Sequence, residues 1–404
     1  MTPLAQRMAS VRPSGTKEMT ARAQALRAAG RDIITLSQGE PDFDTPSVIC
    51  DAGVAAIRGG HTRYTAVAGV DELRGAVAAK LQRENGLSYD PAEIIVGCGA
   101  KQVIFNALFA TLDPGDEVVI PAPCWVSYPD MVRLAGGNPV VLDCPAESGF
   151  KLSPEGLQSA ITRRTKWLIL NSPANPTGAV YCDSELAALG EVLRANPHVW
   201  VLSDDIYEKL VYPPARFATI AAVVPELRAR ALVVNGVSKA HAMTGWRVGY
   251  AAGPADLVRA MAVVQGQTSS HTSSVSQYAA VAALSGRQDY LPDFVQSFLK
   301  RRDLVCSRLK WIPGLDCRIP DGAFYVFVSC AGLIGRAMPD GRRIQSDADF
   351  AMYLLEQSGV AVVPGSSFLA EGYFRLSYAA SMESLELACS RIQAACETLV
   401  QEAA

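Results

Sequence analysis

The 404-residue sequence lacks the features of several protein classes. It has no apolar run near the roughly 20 residues that a membrane-spanning helix needs, and its first residues have no apolar core of signal-peptide length. It has no basic block, and 37 basic against 40 acidic residues give a formal net charge of −3. We therefore expect a soluble, cytoplasmic protein that contacts neither a membrane nor nucleic acid.

Metal-binding and disulfide patterns are also missing. The ten cysteines are scattered without a C-x-x-C pair, and the four histidines show no metal-ligand spacing. We predict free thiols and no metal site. Apolar residues are abundant, at 49% of the chain, which suffices for a large core. The length favours two domains.

Predicted strands and helices alternate between residues 117 and 203. This alternation is typical of a mostly parallel sheet covered by helices on both faces. From Gly314 the pattern changes to short strands between helices, closed by a helix from Met382 to Leu399. We predict an α/β fold with a second, smaller α+β domain, and a boundary in or near a helix at residues 288–311. Near the start, residues 20–29 are predicted to be helical, and Thr45 is predicted to cap a second helix.

A single lysine, Lys239, follows an apolar run and stands in a loop of small residues, with Arg247 eight positions later. Burial lowers the pKa of a lysine and makes the neutral amine available to form an imine with a carbonyl. A guanidinium donates two parallel hydrogen bonds to a phosphate. The two residues together suit pyridoxal phosphate. On these residues alone, a solvated lysine and a surface arginine are the alternative.

Further candidates follow other predicted strands, where ligands collect in parallel sheets. Residues 99–101 lead a strand into a helix whose N-terminus can hold an anion. Trp125 could stack on a flat ring, Asn175 could donate to a ring hydroxyl or a carboxylate, and Asp204 could keep a pyridine nitrogen protonated. The alternatives are a core tryptophan and an aspartate that caps a helix.

Three more positions stand out. Gly39 lies in a turn-rich loop that could bring backbone N–H groups close to a ligand, or that could be an ordinary connection. Tyr64 lies in a loop, where a tyrosine is usually half-buried packing. Arg375 lies inside an apolar strand, where an unpaired guanidinium would be costly. It therefore needs a carboxylate partner from the protein or from a substrate.

The order and spacing of these segments resemble the class I/II aminotransferases of pyridoxal-phosphate fold type I. The resemblance covers nearly the whole chain, and its motifs include GEPDFDTP, YTAVAG, NSPANPTG, SDDIY, SKAHAMTGWRVGY, GAFYV and FRLSY. Within that family the sequence is most similar to bacterial aspartate aminotransferases of the branch that also contains aspartate/prephenate enzymes. The resemblance implies three parts: an N-terminal segment (1–47) belonging to the small domain, a large cofactor-binding domain (48–299) with a mostly parallel seven-stranded sheet, and a small C-terminal domain (300–404).

The resemblance also implies roles at the cofactor, pyridoxal 5′-phosphate. Lys239 would form an imine with it and, once released, would move the substrate's α-proton, while Asp204 pairs with the ring nitrogen and Tyr207 with the ring oxygen. Tyr64 would come from the neighbouring subunit, which implies a homodimer with shared active sites. The remaining cofactor contacts would come from Gly99, Ala100, Lys101, Trp125, Asn175 and Arg247.

The same resemblance implies a dicarboxylic substrate. The reaction would be a ping-pong transamination of L-aspartate with 2-oxoglutarate to oxaloacetate and L-glutamate. The substrate's α-carboxylate would contact Arg375, Asn175, Trp125 and the Gly39 backbone, and its distal carboxylate would contact Ser14, Thr16 and Lys101.

Three positions depart from the pattern of relatives or leave it open. Gly236 stands where many relatives have a phosphate-contacting serine, and residues 265–274 contain no arginine of the kind that other aspartate aminotransferases use. Arg12 stands where some prephenate-active relatives have lysine. The alternatives that stay open are an aromatic amino acid or prephenate as substrate, an α,β-eliminating enzyme, and a non-catalytic ligand sensor of aminotransferase shape.

Overall fold

The computed structural model describes residues 4–11 and 15–399. Two positions named above, Arg12 and Ser14, lie outside the described residues. The strands are β1 (Ile34–Thr35), β2 (Ile94–Gly97), β3 (Glu117–Ala122), β4 (Asn138–Asp143), β5 (Thr165–Asn171), β6 (Trp200–Asp204), β7 (Ala231–Gly236), β8 (Gly249–Ala252), β9 (Asp316–Cys317), β10 (Tyr325–Ser329), β11 (Val360–Ala361), β12 (Val363–Pro364) and β13 (Tyr373–Ser377).

The first α-helix begins at Gly15 and the last ends at Glu397. None of the helices in the described part of the chain is long and apolar enough to cross a membrane. They are α1 (Gly15–Ala28), α2 (Ser47–Arg58), α3 (Asp71–Asn85), α4 (Ala100–Thr111), α5 (Tyr128–Leu134), α6 (Pro154–Ala160), α7 (Asp183–Ala195), α8 (Ile220–Val223), α9 (Ala255–Thr268), α10 (Ser274–Ser285), α11 (Leu291–Leu309), α12 (Asp347–Tyr353) and α13 (Met382–Glu397).

A seven-stranded sheet forms the centre of the larger part of the molecule, with the strand order β2-β8-β7-β6-β5-β3-β4. Its strands run parallel except β8, which is antiparallel to both neighbours. The inner strands β6 and β7 are almost wholly buried, because helices cover both faces of the sheet. The predicted α/β fold with a mostly parallel seven-stranded sheet is confirmed.

Each face of this sheet has its own apolar core. One core contains residues of α3, α7 and α10, and the other contains residues of α4, α5 and α9. Because side chains alternate along a strand, neighbouring residues of β6 enter different cores: Val201 packs in the first and Leu202 in the second. This alternation decides which polar residues at the strand end face the functional site.

A smaller antiparallel sheet, β12-β13-β10-β9, packs with α11, α12 and α13 around a third core. Residues from α1 enter the same core, and β1 pairs in parallel with β11. The N-terminal segment therefore packs against the C-terminal part of the chain. The predicted limit between residues 299 and 300 falls inside α11, and the division into domains stays a prediction.

Two helix starts differ from the sequence-based expectation. The first helix begins at Gly15, five residues before the predicted start. The second begins at Ser47 without a side-chain cap. Thr45 was predicted to supply that cap, but its hydroxyl donates to the Ala242 carbonyl at 2.6 Å instead. The Thr45 hydroxyl thus bonds to the loop that carries Lys239, so it does not cap the helix as the local sequence predicts.

Candidate active site

The carboxyl ends of β5, β6 and β7, the first turns of α1 and α4, and two residues of the smaller sheet surround a cavity of about 270 Å³. Parallel strands end at the same edge, so residues distant in sequence meet there. The sequence-predicted residues that line the cavity are Thr16, Gly39, Ala100, Lys101, Trp125, Asn175, Asp204, Tyr207, Lys239, Arg247 and Arg375.

Lys239 reaches into this cavity, and its Nζ donates to the Gly39 carbonyl at 2.6 Å. Desolvation lowers the pKa of the amine to about 8, and the positive charges of Arg247 and Arg375 also lower it, while the Glu40 and Asp204 carboxylates oppose this effect. The amine is therefore partly neutral near physiological pH, as a lysine that forms an imine requires. The sequence-based alternative of a solvated loop lysine is wrong.

Asp204 ends β6 and is buried, with its carboxylate accepting a hydrogen bond from the Tyr128 hydroxyl at 2.6 Å. Burial raises the pKa of Asp204 to about 6, although the hydrogen bond from Tyr128 opposes the rise. The side chain lines the cavity beside Lys239. The carboxylate is thus available to a cationic group of a ligand and does not cap a helix.

The segment around Gly99 is shaped for close approach. Gly99 has φ +80° and precedes α4, and a Cβ at this position would overlap the Arg247 guanidinium. A Cβ at Gly249 would likewise overlap the backbone of Ala100. Arg247 donates to the carbonyls of Thr244 (3.0 Å) and Cys98 (3.2 Å). A guanidinium and the amino end of a helix therefore lie together, which is an anion-binding arrangement.

Arg375 is 2% exposed and donates to the Asn175 side-chain oxygen at 2.8 Å and to the Ser37 carbonyl at 2.6 Å. Its guanidinium lies 4.4 Å from the Tyr325 ring centroid and 4.8 Å from that of Phe368. Its Nε has no hydrogen-bond partner, and no carboxylate forms an ion pair with it among the described residues. The carboxylate that this buried cation needs is therefore expected from a ligand.

Lys101, the second residue of α4, lies elsewhere on the cavity wall. Its Nζ is 3.2 Å from the Ser127 hydroxyl and 4.7 Å from the centroid of the Trp125 ring. Burial lowers the pKa of Lys101, and the nearby charges of Lys17 and Arg247 lower it further. This cation also has no carboxylate partner in the described part of the chain. Besides the anion-binding arrangement at Arg247, the cavity therefore offers two further positions for anionic groups, at Arg375 and at Lys101.

Sequence reasoning missed two tyrosines of the site. Tyr128 holds Asp204, and the Tyr325 hydroxyl lies 2.7 Å from the Tyr207 hydroxyl while its ring stacks on Arg375. The sequence does contain a signal for both, because Tyr128 follows Trp125 by three residues and Tyr325 follows Gly322 by three residues. A tyrosine at such a position, however, more often packs in the hydrophobic core. Their roles depend on side-chain contacts across the fold.

Among the described residues, two predicted site residues, Tyr64 and Gly99, do not line the cavity of their own chain. Tyr64 is 92% exposed and makes an edge contact with the His271 ring at a centroid distance of 5.6 Å. Gly99 packs directly against the Arg247 guanidinium, where a Cβ atom would not fit. Gly236, where many relatives have a serine, ends β7 and is buried. The predicted contribution of Tyr64 to a neighbouring subunit's site stays a prediction.

Comparison with known proteins agrees with this architecture. The family profile "Aminotransferase class I and II" matches residues 31–392. An aspartate aminotransferase of Rhizobium meliloti is 53% identical over 98% of this chain and 96% of its own length. An aspartate/prephenate aminotransferase of Cereibacter sphaeroides is 54% identical over 98% of this chain and 99% of its own length.

Solved structures show the same similarity. The crystal structure of the Rhizobium meliloti aspartate aminotransferase superposes with a TM-score of 0.96 at 52% identity, covering 99% of this chain and 100% of the other. The Thermus thermophilus aspartate aminotransferase with maleate gives 0.91 at 42% identity, covering 98% and 100%. The chain therefore belongs to the class I and II aminotransferase family.

Proposed function

We propose that this enzyme is a pyridoxal-phosphate-dependent aspartate aminotransferase that exchanges the amino group between L-aspartate and 2-oxoglutarate. The observation that carries the proposal is the presence in one cavity of Lys239, with its lowered pKa, and of two cations, Arg375 and Lys101, that have no carboxylate partner among residues 4–11 and 15–399. Two cations suit a dicarboxylic substrate. The names of the relatives described above support the same substrate.

The site residues fit pyridoxal 5′-phosphate. The glycines at 99 and 249 leave backbone groups accessible at the start of α4, and Arg247 lies against them, so this end of the cavity suits a phosphate. The buried Asp204 suits a protonated ring nitrogen, because a neighbouring cation would relieve the penalty of its burial. Trp125 would pack on the ring, and Asn175 and Tyr207 would bind its oxygen.

When bound, the cofactor supplies an aldehyde that accepts amino groups and a protonated ring that withdraws electrons from the substrate's α-carbon. The chain's own residues do the rest. Asp204, oriented by Tyr128, would keep the ring nitrogen protonated. Lys239 Nζ would hold the cofactor at its aldehyde carbon, and the substrate's amino group would displace it. The freed amine would then move the proton from the substrate's α-carbon to that carbon of the cofactor.

Substrate orientation would come from the two ends of the cavity. Arg375 would bind the α-carboxylate with Asn175, and Lys101 with Thr16 would bind the distal carboxylate. Fixing both carboxylates sets the direction of the α C–H bond, and orientation of this kind contributes strongly to rate. Ser14 is proposed for the same distal position by resemblance.

A homodimer is part of the proposal. Tyr64 is a large aromatic residue with 92% of its surface exposed, and the family resemblance brings it to the phosphate in the neighbouring subunit. An exposed side chain that does not reach the cavity of its own chain is compatible with that role. Prephenate is a second candidate amino acceptor, because the Cereibacter sphaeroides relative described above is an aspartate/prephenate aminotransferase.

The test is Lys239→Ala in the holoenzyme, with the exposed Lys300→Ala as the matched control. We expect aspartate-dependent formation of oxaloacetate and glutamate to fall to background, and the absorbance of lysine-bound cofactor to disappear, because no other amine in the cavity can replace this one without moving. The control should match the wild type. Full turnover by Lys239→Ala, or a wild type that releases pyruvate and ammonia instead of transaminating, would refute the proposal.

A further inference from the structure

One buried group that lines the cavity has no part in the chemistry proposed above. Tyr325, the first residue of β10, is completely buried, and its side chain borders the cavity together with Tyr207, Lys239 and Arg375. A buried tyrosine usually needs a hydrogen-bond partner for its hydroxyl. The partner here is the hydroxyl of Tyr207, at 2.7 Å. This contact joins the smaller sheet to the segment that follows β6.

The position of the Tyr325 hydroxyl depends on a glycine. A Cβ at Gly39 would lie 2.4 Å from the Tyr325 hydroxyl oxygen, which is closer than a real Cβ atom can come. The φ angle of Gly39 is not in the left-handed region, so a side chain at this position would lack space. The Tyr325 ring also packs against the Phe324 ring, at a centroid distance of 4.7 Å. The hydroxyl therefore has one well-defined place beside Tyr207.

The same ring lies against the buried guanidinium of Arg375, whose central carbon is 4.4 Å from the ring centroid. Strand pairing explains this contact. Tyr325 is opposite Ser377 in the ladder of β10 and β13, so Arg375 is its diagonal neighbour on the same face. A cation over an aromatic face is attracted to it. Tyr325 thus holds Arg375 with its ring and Tyr207 with its hydroxyl.

The number of protons in the hydroxyl pair limits how it can bond. Burial raises the pKa of Tyr207 and that of Tyr325, although the positive charge of Arg375 opposes the rise in both. Both hydroxyls are therefore protonated at neutral pH. The bond between the two oxygens uses only one of these protons. When Tyr325 is the donor, the proton of Tyr207 is free for an acceptor in the cavity.

We infer that Tyr325 is a positioning residue, which donates to the Tyr207 hydroxyl and so directs the Tyr207 proton to the ring oxygen of the cofactor. A hydroxyl that accepts one hydrogen bond becomes a stronger donor in the next. Tyr325 acts on the cofactor through Tyr207, while its ring keeps Arg375 aligned for the α-carboxylate. This inference rests on the proposed function, in which Tyr207 binds the ring oxygen.

The experiment is a pH titration of the absorbance of lysine-bound cofactor in the Tyr325→Phe holoenzyme. This absorbance changes when the linkage to Lys239 loses its proton, which lies beside the ring oxygen. A donor to that oxygen stabilises its negative charge and lowers the pKa of the linkage, so a weaker donor at Tyr207 raises it. We expect the midpoint to rise by about half a pH unit, a roughly threefold change in proton affinity.

Tyr378→Phe is the matched control. Tyr378 is also completely buried, and its hydroxyl donates to the Tyr212 hydroxyl at 3.4 Å and to the Ala323 carbonyl at 3.2 Å. The cavity lining includes Tyr325 and not Tyr378. The control variant loses one buried hydroxyl of the same kind, so its titration midpoint should equal that of the wild type.

The role of the ring is measured separately, as the dissociation constant of the unreactive dicarboxylate succinate on the holoenzyme. Tyr325→Phe keeps the ring over Arg375, so calorimetry should give the wild-type affinity. Tyr325→Leu removes the ring, and succinate should bind roughly fivefold more weakly. Equal losses in the two variants would show that the hydroxyl and the ring do not have separate roles.

Gly39→Ala tests the hydroxyl contact from the other side. The added methyl group should displace the Tyr325 hydroxyl from Tyr207 and raise the titration midpoint of the ligand-free holoenzyme as well. In the Tyr325→Phe background the same substitution should add little, because no hydroxyl is left to displace. Gly39→Ala also decides the question by itself if Tyr325→Phe does not fold.

The outcomes are distinguishable. An unchanged or lower midpoint in Tyr325→Phe, an equal rise in Tyr378→Phe, or additive effects of Gly39→Ala and Tyr325→Phe would overturn the role of Tyr325. Each of these results leaves the spectrum of the wild type intact. A wild type that shows no absorbance of lysine-bound cofactor would instead refute the proposed function.

Discussion

Two adjacent aspartates at the end of β6 make an instructive comparison. Asp204 lines the cavity and accepts from Tyr128, whereas Asp205 accepts from the Ser203 hydroxyl at 2.7 Å, and its Oδ2 has no partner among the described residues. Burial raises the pKa of both carboxyls, that of Asp204 to about 6 and that of Asp205 well above its usual range. Alternation along the strand sends the two to opposite faces of the sheet.

The charges around them differ in the same way. On the cavity side, Lys101 and Arg375 have no carboxylate partners within the part of the chain that the structure describes. On the Asp205 side, Lys80 pairs with Glu208, and Glu84 pairs with Lys209 at 2.7 Å. Asn85 bridges this group by donating to Glu208 at 2.9 Å and accepting from Lys80 at 2.8 Å. Paired buried charges hold the loop after β6 in place, whereas Lys101 and Arg375 are the cations that we propose bind the substrate.

The largest expected difference between the two aspartates is in catalysis. Asp204→Asn should lower kcat by roughly 100- to 1,000-fold, the usual loss when one preorganised electrostatic partner is removed, because an amide cannot maintain a ring proton. Asp205→Asn should leave kcat nearly unchanged, since its carboxyl does not line the cavity. Steady-state measurement of kcat for the two variant holoenzymes tests this prediction, and comparable losses of kcat in both would contradict it.

The paired side should respond in stability instead. Lys80→Met would leave Glu208 buried without its cation, which typically costs about 3–5 kcal/mol. Both side chains are at most 7% exposed, so solvent cannot replace the interaction. We expect a lower free energy of unfolding in urea with kcat of the folded enzyme little changed. The double variant Lys80→Met, Glu208→Leu should recover much of the loss, and a single variant as stable as the wild type would contradict the pairing.

The smallest effect is a pH dependence of the cofactor-free protein. Because folding raises the pKa of Asp204 from 3.8 to about 6, the folded state binds the proton more tightly than the unfolded state. Its stabilising contribution is complete below pH 4 and is lost as pH rises through 6, by up to about 3 kcal/mol. Asp204→Asn should flatten this part of the curve of unfolding free energy against pH. An unchanged curve would show that Asp204 is not the titrating group.

Much of the site could be predicted from chemistry and spacing. The lysine after an apolar run, the arginine inside an apolar strand and the amide after β5 are residue types that need an explanation wherever they occur. Lys239, Arg375 and Asn175 accordingly meet in one cavity. The alternating strands and helices predicted the sheet, because a buried parallel strand has a distinctive apolar run.

Other features could not be predicted, for physical reasons. Asp204 was predicted as the site residue, but the sequence offered no physical reason to exclude the adjacent Asp205. That reason is the register of β6 in the sheet, which determines which of the two faces the cavity. Tyr128 and Tyr325 act through contacts with residues 76 and 118 positions away. Thr45 has the residue type of a helix cap, but a contact nearly 200 positions distant takes its hydroxyl. Long-range contacts of this kind leave no local pattern.

The helix α11 has a practical consequence for dissecting the molecule. Near its start, Phe294 stacks on Phe43 at a centroid distance of 4.0 Å, and farther along, Val305 and Leu309 enter the third core. A truncation between residues 299 and 300 would interrupt α11 near its middle and expose apolar side chains on both fragments. Fragments meant for separate expression should therefore be divided ahead of Leu291, in the segment after Ser285, where no backbone helix has to be severed.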